Sequence, residues 1–201
     1  MPSENKTQYA VLGLLNSAPM TGYQIRKVYE NSLGHFWSES YSHLYAILKV
    51  VEADGLATAT VVPGGGRPNR RVYAITDAGR KALSDWLARP AAEQRERVEV
   101  LLKVFHGGAV GPVVTAEHIR ATRAEHEALL ARYAQYAEDL QAHMADDPNH
   151  PYIMLTLRCG QRTSAAMTAW CDEALETLAA LPDARPGAAG RQQITETKER
   201  Q

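Results

Sequence analysis

The sequence predicts a mainly α-helical chain with one small β-hairpin, and three observations carry that expectation. Leu56-Ala57-Thr58-Ala59-Thr60-Val61-Val62 alternates apolar and polar residues at period two, and Arg71-Val72-Tyr73-Ala74-Ile75 supplies a β-rich return strand. Pro63 and Pro68 bracket the connecting segment, which neither strand could carry through its middle. The apolar residues before and after this pair of strands recur at helical spacing.

The first helix is short and apolar: Tyr9, Val11, Leu12, Leu14 and Leu15 form it and Pro19 ends it. Thr21 caps a second helix running through Tyr23, Ile25, Val28, Tyr29 and Leu33. Ser40 caps a third, which buries Leu44, Ile47, Leu48 and Val51 and stops at Gly55. The hairpin comes next, and a fourth helix opens at Thr76-Asp77-Ala78-Gly79. Helices two and three followed by a hairpin form the pattern of a winged helix-turn-helix, which predicts a DNA-binding domain over residues 1–88.

Candidate contacts fall on the third helix and the hairpin. Tyr41, Ser42, His43, Tyr45 and Lys49 lie on the polar side of that helix, where short side chains near the start suit base edges and phosphates. Tyr45 reads equally as a half-buried core tyrosine, and His43 as a structural residue. The hairpin tip, Gly64-Gly65-Gly66-Arg67-Pro68-Asn69-Arg70-Arg71, has three arginines and no acid. Its glycines let the backbone approach a polyanion, so Arg67, Arg70 and Arg71, with Tyr73 beside them, are expected at DNA. The plainer alternative is a solvated loop whose arginines serve solubility.

Several of these residues carry a resemblance. Leu14-Leu15 with Thr21-Gly22-Tyr23, then Leu44-Tyr45 with Leu48, Glu52 and Asp54-Gly55-Leu56, then Arg70-Arg71-Val72-Tyr73 with Ile75-Thr76-Asp77-Ala78-Gly79-Arg80 and Leu83, resemble the PadR family of transcriptional regulators over roughly residues 8–88. The chain beyond Leu87 is similar to the helical C-terminal domain of larger PadR-like proteins, a group that includes virulence activators. The resemblance implies a homodimeric repressor on a two-fold symmetric double-stranded DNA operator, with the Tyr45 helix as reader and Arg67 to Arg71 as wing. It also implies a small aromatic effector, for which Trp37, Tyr133 and Trp170 are the candidate residues; ordinary core and interface packing is the alternative for each ring. Ala46 stands where many relatives carry proline, and Ser42-His43 where many carry Gly-Thr or Gly-Ser, so no operator sequence carries over.

Composition fits a globular protein. At 201 residues and 45% hydrophobic content there is enough apolar surface for a core, and the formal charge is −1. Residues 1–88 hold nine Lys/Arg against seven Asp/Glu, net +2, and residues 89–201 hold thirteen against sixteen, net −3, so the basic surplus falls in the half assigned to DNA. No apolar run approaches about 18 residues, and Met1 to Lys6 lacks the charged and apolar regions of a signal peptide, so a cytoplasmic protein without membrane contact is expected. Cys159 and Cys171 sit about 18 Å apart by helical rise and are expected to be packed thiols.

The second half reads as helices. Val98, Leu101, Leu102 and Phe105 mark a short one, ended by Gly107-Gly108 and Gly111-Pro112. A long helix from about 116 to 144 places Ile119, Thr122, His126, Leu129, Tyr133, Tyr136 and Leu140 on one seam. After Asp147-Pro148-Asn149-His150-Pro151 a second seam runs through Ile153, Leu157, Gly160, Ser164, Met167, Cys171, Ala174, Leu178 and Leu181. These seams suit a partner subunit, an intramolecular helical hairpin, or both, and residues 89–181 are expected to be a helical dimerisation and effector domain. Residues 182–201, rich in Pro, Gly and Ala and then polar, are expected to be a disordered tail. No nucleophile elbow, phosphate loop or H-E-x-x-H motif argues for an enzyme. His118 and His126 with Glu117, Glu125 and Glu127 read as a solvated face, and no cofactor or metal is expected. A helical adaptor that does not touch DNA is the rival class, and a salt-dependent DNA mobility shift separates the two.

Overall fold

Capping side chains set the starts of three α-helices in the first unit of the computed structural model, which describes residues 5–63, 69–93 and 97–182. Helix α1 spans Thr7–Ser17. The two-residue strand β1, Met20–Thr21, leads into α2, Gly22–Asn31, where Thr21 and Gln24 form a capping box. A 3₁₀ turn, Leu33–His35, comes after it. Ser40 then caps α3, Tyr41–Ala53, by accepting from the His43 backbone N–H. Strands β2, Ala57–Val62, and β3, Arg70–Ile75, pair antiparallel from Ala57 opposite Ile75 to Val62 opposite Arg70. Thr76 caps α4, Asp77–Leu87.

The sheet has three strands in the order β1-β3-β2, so Met20 and Thr21 pair with Tyr73 and Val72 beyond the expected hairpin. Two residues are too few to show an alternation, which is why the sequence did not announce β1. Val11, Leu12, Leu15, Ile25, Leu48 and Val51 form the centre of the core under the sheet. Tyr9 stacks on Trp86 of α4 with ring centroids 4.6 Å apart, which ties the first and last helices of the unit together. The tip residues Gly64 to Pro68, and so Arg67, lie outside the described residues.

The chain divides into two compact units, 1–94 and 95–201. The second contains α5, Glu99–Phe105, a 3₁₀ turn at Gly107–Ala109, α6, Pro112–Met144, and α7, His150–Ala179. Helices α6 and α7 form an antiparallel hairpin. Arg123 meets Asp172, His126 meets Ser164 and the Tyr133 ring lies against Gly160, so the partners run in opposite directions. The two seams face each other, which is the intramolecular hairpin among the expected alternatives; short connections favour antiparallel neighbours.

The cysteine expectation is half corrected. Cys171 is buried, and burial first, with Asp172 second, raises its thiol pKa. Cys159 is exposed on another face of α7. Among the described residues no helix is long and apolar enough to cross a membrane. The expected tail, apart from Pro182, lies outside the described residues.

Candidate nucleic-acid interface

Helix α3 presents two faces. Leu44, Ile47, Leu48 and Val51 enter the core, leaving Tyr41, Ser42, Tyr45 and Lys49 exposed along the opposite side. That exposed stripe is the one the helical period predicts. The Ser40 and Ser42 hydroxyls lie 3.1 Å apart at its N-terminal end.

His43 behaves differently. It is half-buried, its Nε2 lies 3.2 Å from the Asn5 amide nitrogen, and Glu39 Oε2 is 3.9 Å away. Glu39 also accepts from the Thr7 hydroxyl at 2.6 Å, and Thr7 in turn accepts from the Trp37 indole N–H at 3.1 Å. The Tyr29 hydroxyl donates to the Trp37 carbonyl. Burial, with Glu39 adding to it, pushes the Tyr29 phenol up to about 12. This chain of polar contacts anchors the start of α3 to the start of α1. One ring nitrogen of His43 thus faces protein groups, while its side chain remains 39% exposed.

Tyr45 is half exposed, and its ring closes over the start of α2. A Cβ at Gly22 would come within 2.6 Å of Tyr45 Cε1, so the glycine allows this approach. One turn further along α2, the Arg26 guanidinium sits over the Tyr41 ring at 4.4 Å. Tyr41 hydrogen-bonds the Glu30 carboxylate, which raises its phenol pKa, and Glu30 also pairs with Arg26 at 3.1 Å.

On the hairpin, Arg70 is exposed where β3 begins. Arg71 is turned back: its Nη2 donates to both Glu52 carboxylate oxygens at 2.6 and 2.7 Å, and its guanidinium lies 5.5 Å from the Tyr73 ring centroid. It links the hairpin to the end of α3, with its side chain 48% exposed. Tyr73 is only 6% exposed and belongs to the core, on the same face of β3 as Ile75. Its assignment to DNA is corrected on that ground. Three residues that sequence reasoning left aside, Tyr23, Arg26 and Lys27, stand beside the α3 face. Their i, i+3, i+4 spacing was the available signal.

The expected effector residues fall in both units. Trp37 packs on the core of the first unit. Tyr133 is buried against Gly160 between α6 and α7. Trp170 is ten residues beyond Gly160 on α7, about 15 Å by helical rise, and lines a separate groove of about 590 Å³ with Leu101, Arg162, Thr163, Ala166 and Met167. The surroundings of Tyr133 are those of ordinary packing between two helices.

The family model for the transcriptional regulator PadR-like family matches residues 11–85, and that for the virulence activator alpha C-terminal region matches residues 96–179. The structure of the virulence activator AphA of Vibrio cholerae is 30% identical, with a TM-score of 0.65, covering 86% of this chain and 98% of that one. The chain belongs to the PadR-like family of transcriptional regulators.

Within the PadR-like family, a protein of Mycobacterium tuberculosis described as a "Probable transcriptional regulator" is 28% identical over 85% of this chain and 96% of its own. The negative transcriptional regulator PadR of Bacillus subtilis is 37% identical over 49% of this chain and 54% of its own. A crystal structure of that PadR with operator DNA has a TM-score of 0.75 at 24% identity, covering 86% and 98% of the two chains, and supports the winged-helix fold. PadR-like proteins are regulators of transcription, and that is the function class of this chain.

Proposed function

We propose that this chain is a homodimeric transcriptional repressor acting on a two-fold symmetric operator, with residues 1–88 as the DNA-binding domain and 89–181 as the dimerisation domain. The observation that carries the reading is the exposed α3 face of Tyr41, Ser42, Tyr45 and Lys49, together with Arg70 exposed where β3 begins. Ser42 reads base edges from the start of the helix, and Lys49 and Arg70 supply phosphate contacts that release counterions. Repression is supported by the B. subtilis relative, a negative regulator whose PadR has been crystallised with operator DNA. The dimer is supported by apolar side chains that the second unit leaves uncovered, among them Phe105 at 82% and Leu102 at 62% exposure on α5. A mobility shift on duplex DNA, repeated across about 50 to 200 mM salt, tests the reading. A steep loss of binding with salt supports it, and no shift at low salt refutes it.

A second reading, activation, is favoured by the match to the virulence activator C-terminal region and by the similarity to AphA. Transcription in vitro from a promoter carrying the bound site separates the two. We further propose an aromatic acid as effector, since a structure of B. subtilis PadR contains p-coumaric acid. The groove beside Trp170 fits that chemistry, with the indole face for a ring and Arg162 for a carboxylate. Phenolic acids should quench tryptophan fluorescence and release DNA together, and Trp170→Leu should abolish both responses.

A further inference from the structure

We propose that Glu39 is a positioning residue for sequence recognition: its carboxylate, held by the Thr7 hydroxyl of α1, fixes where α3 begins and so which base edges its first turn meets. This rests on α3 being the reading helix.

The need for such a fixture lies in the backbone. Phe36 and Trp37 donate their N–H groups to the Leu33 carbonyl, and the hydrogen bonding of α3 starts with the Leu44 N–H on the Ser40 carbonyl. Between these, among the described residues, Ser38 and Glu39 make no backbone–backbone hydrogen bond. Rotation of the chain at that point would carry Tyr41 and Ser42 with it. Ordering the stretch costs conformational entropy, so side chains have to supply the contacts that hold it.

Those contacts converge on one atom. The Thr7 hydroxyl accepts from the Trp37 indole N–H at 3.1 Å and donates to Glu39 Oε1 at 2.6 Å, so both ends of the unpaired stretch are tied to the same group. Thr7 is itself fixed. It is 1% exposed, its backbone N–H donates to Asn5 Oδ1 at 3.2 Å, and its helix enters the core through Val11, Leu12 and Leu15. From the other side, the Tyr29 hydroxyl of α2 donates to the Trp37 carbonyl. The second carboxylate oxygen, Glu39 Oε2, lies 3.9 Å from His43 Nε2, so one side chain spans from α1 to the first turn of α3. A hydroxyl bound to a carboxylate makes a shorter and stronger hydrogen bond than two neutral groups do, which suits it to holding an angle. Phosphate repels a carboxylate, so Glu39 has no direct use at the DNA backbone. Its effect on DNA passes through Ser40, the cap that follows it, to Tyr41 and Ser42.

Glu39→Ala and Glu39→Gln in the full chain test the proposal, each measured against a duplex selected from a random pool and a scrambled duplex. Both changes remove the same charge and only glutamine keeps an oxygen for the Thr7 hydroxyl, so the difference between them reads the hydrogen bond. Glu39→Ala should shrink the affinity ratio between the two duplexes by roughly tenfold, the scale of one good base contact. Glu39→Gln should keep most of that ratio, with the same salt slope as the alanine variant. Thr7→Val should reproduce the loss and Thr7→Ser should restore it. Thr7→Val combined with Glu39→Ala should lose no more than Thr7→Val alone, because the two changes remove one shared interaction. Thermal melts establish folding in each case, and the Glu39 variants decide the outcome should Thr7→Val melt early. A folded Glu39→Ala variant that keeps the wild-type ratio, or a glutamine variant as poor as alanine, overturns this proposal and leaves the reading-helix assignment standing. Failure of the wild type to distinguish any selected duplex from a scrambled one overturns the assignment beneath it, and this proposal with it.

Discussion

In the first unit, helices α1, α2 and α3 converge on a three-stranded sheet and enclose Val11, Leu12, Ile25 and Val51 completely. In the second, α6 and α7 meet along one line, and the cluster around Tyr133, Leu140 and Leu157 is narrow. Two helices give each other only one covered face. Leu102 and Phe105 on α5, Val113 on α6, and Tyr152 and Leu155 on α7 remain exposed. Both units leave large apolar side chains exposed, Phe36 and Leu87 among them in the first, but the first encloses its core from several elements whereas the second covers its core along a single line.

The largest effect that would sharpen this contrast is a core truncation. Leu12→Ala should cost about 2 to 5 kcal/mol, since the cavity it leaves is closed in by the surrounding helices. Urea unfolding of the wild type and variant measures it. The matching change on the exposed side, Phe105→Ser, should leave the secondary structure intact and shift the mass seen by light scattering from dimer to monomer. A dimer that survives both Phe105→Ser and Leu102→Ser would break the contrast.

Arg70 and Arg71 provide the next test. Arg70→Ala should weaken DNA binding and flatten its salt dependence. Arg71→Ala should cost stability, in the range of about 0.2 to 1 kcal/mol typical of an exposed ion pair, because the interaction it loses is the one with Glu52. Equal losses of salt slope from the two variants would contradict the separation of roles.

A smaller effect concerns alkaline pH. The Tyr29 phenol is raised to about 12 in the folded chain from an ordinary value near 10. Between these values the unfolded chain ionises first, so folding stability is fully present below about pH 10 and falls as pH rises toward 12. Tyr29→Phe should remove this part of the alkaline loss, as followed by thermal melts between pH 9 and 12. The smallest expected difference is chemical: Cys159 should alkylate readily, whereas buried Cys171, with its raised thiol pKa, should react only on unfolding.

Features written in local sequence were legible. Thr21, Ser40 and Thr76 each cap the helix expected of them, because capping depends on residues three apart. The α3 faces and the seams of α6 and α7 came from helical period alone. Contacts between distant residues were not legible in this way. The pairing of Arg71 with Glu52, nineteen positions earlier, is of this kind. So is the placing of Asn5 and Glu39 beside His43. Tyr73 was legible as a core residue all along, since it shares strand parity with Ile75. The Tyr23, Arg26 and Lys27 face was hidden because its meaning depends on Tyr41 and Tyr45 lying next to it.

Selection of bound sequences from random duplex DNA by the full chain puts the symmetric dimer and its reading helix at risk together. An enriched inverted repeat is expected, with half-sites about one helical turn apart, near 34 to 36 Å, as two reading helices related by a two-fold axis require. Enrichment of a single unpaired half-site would contradict the symmetric dimer, and no enrichment over the starting pool would contradict sequence-specific binding by α3.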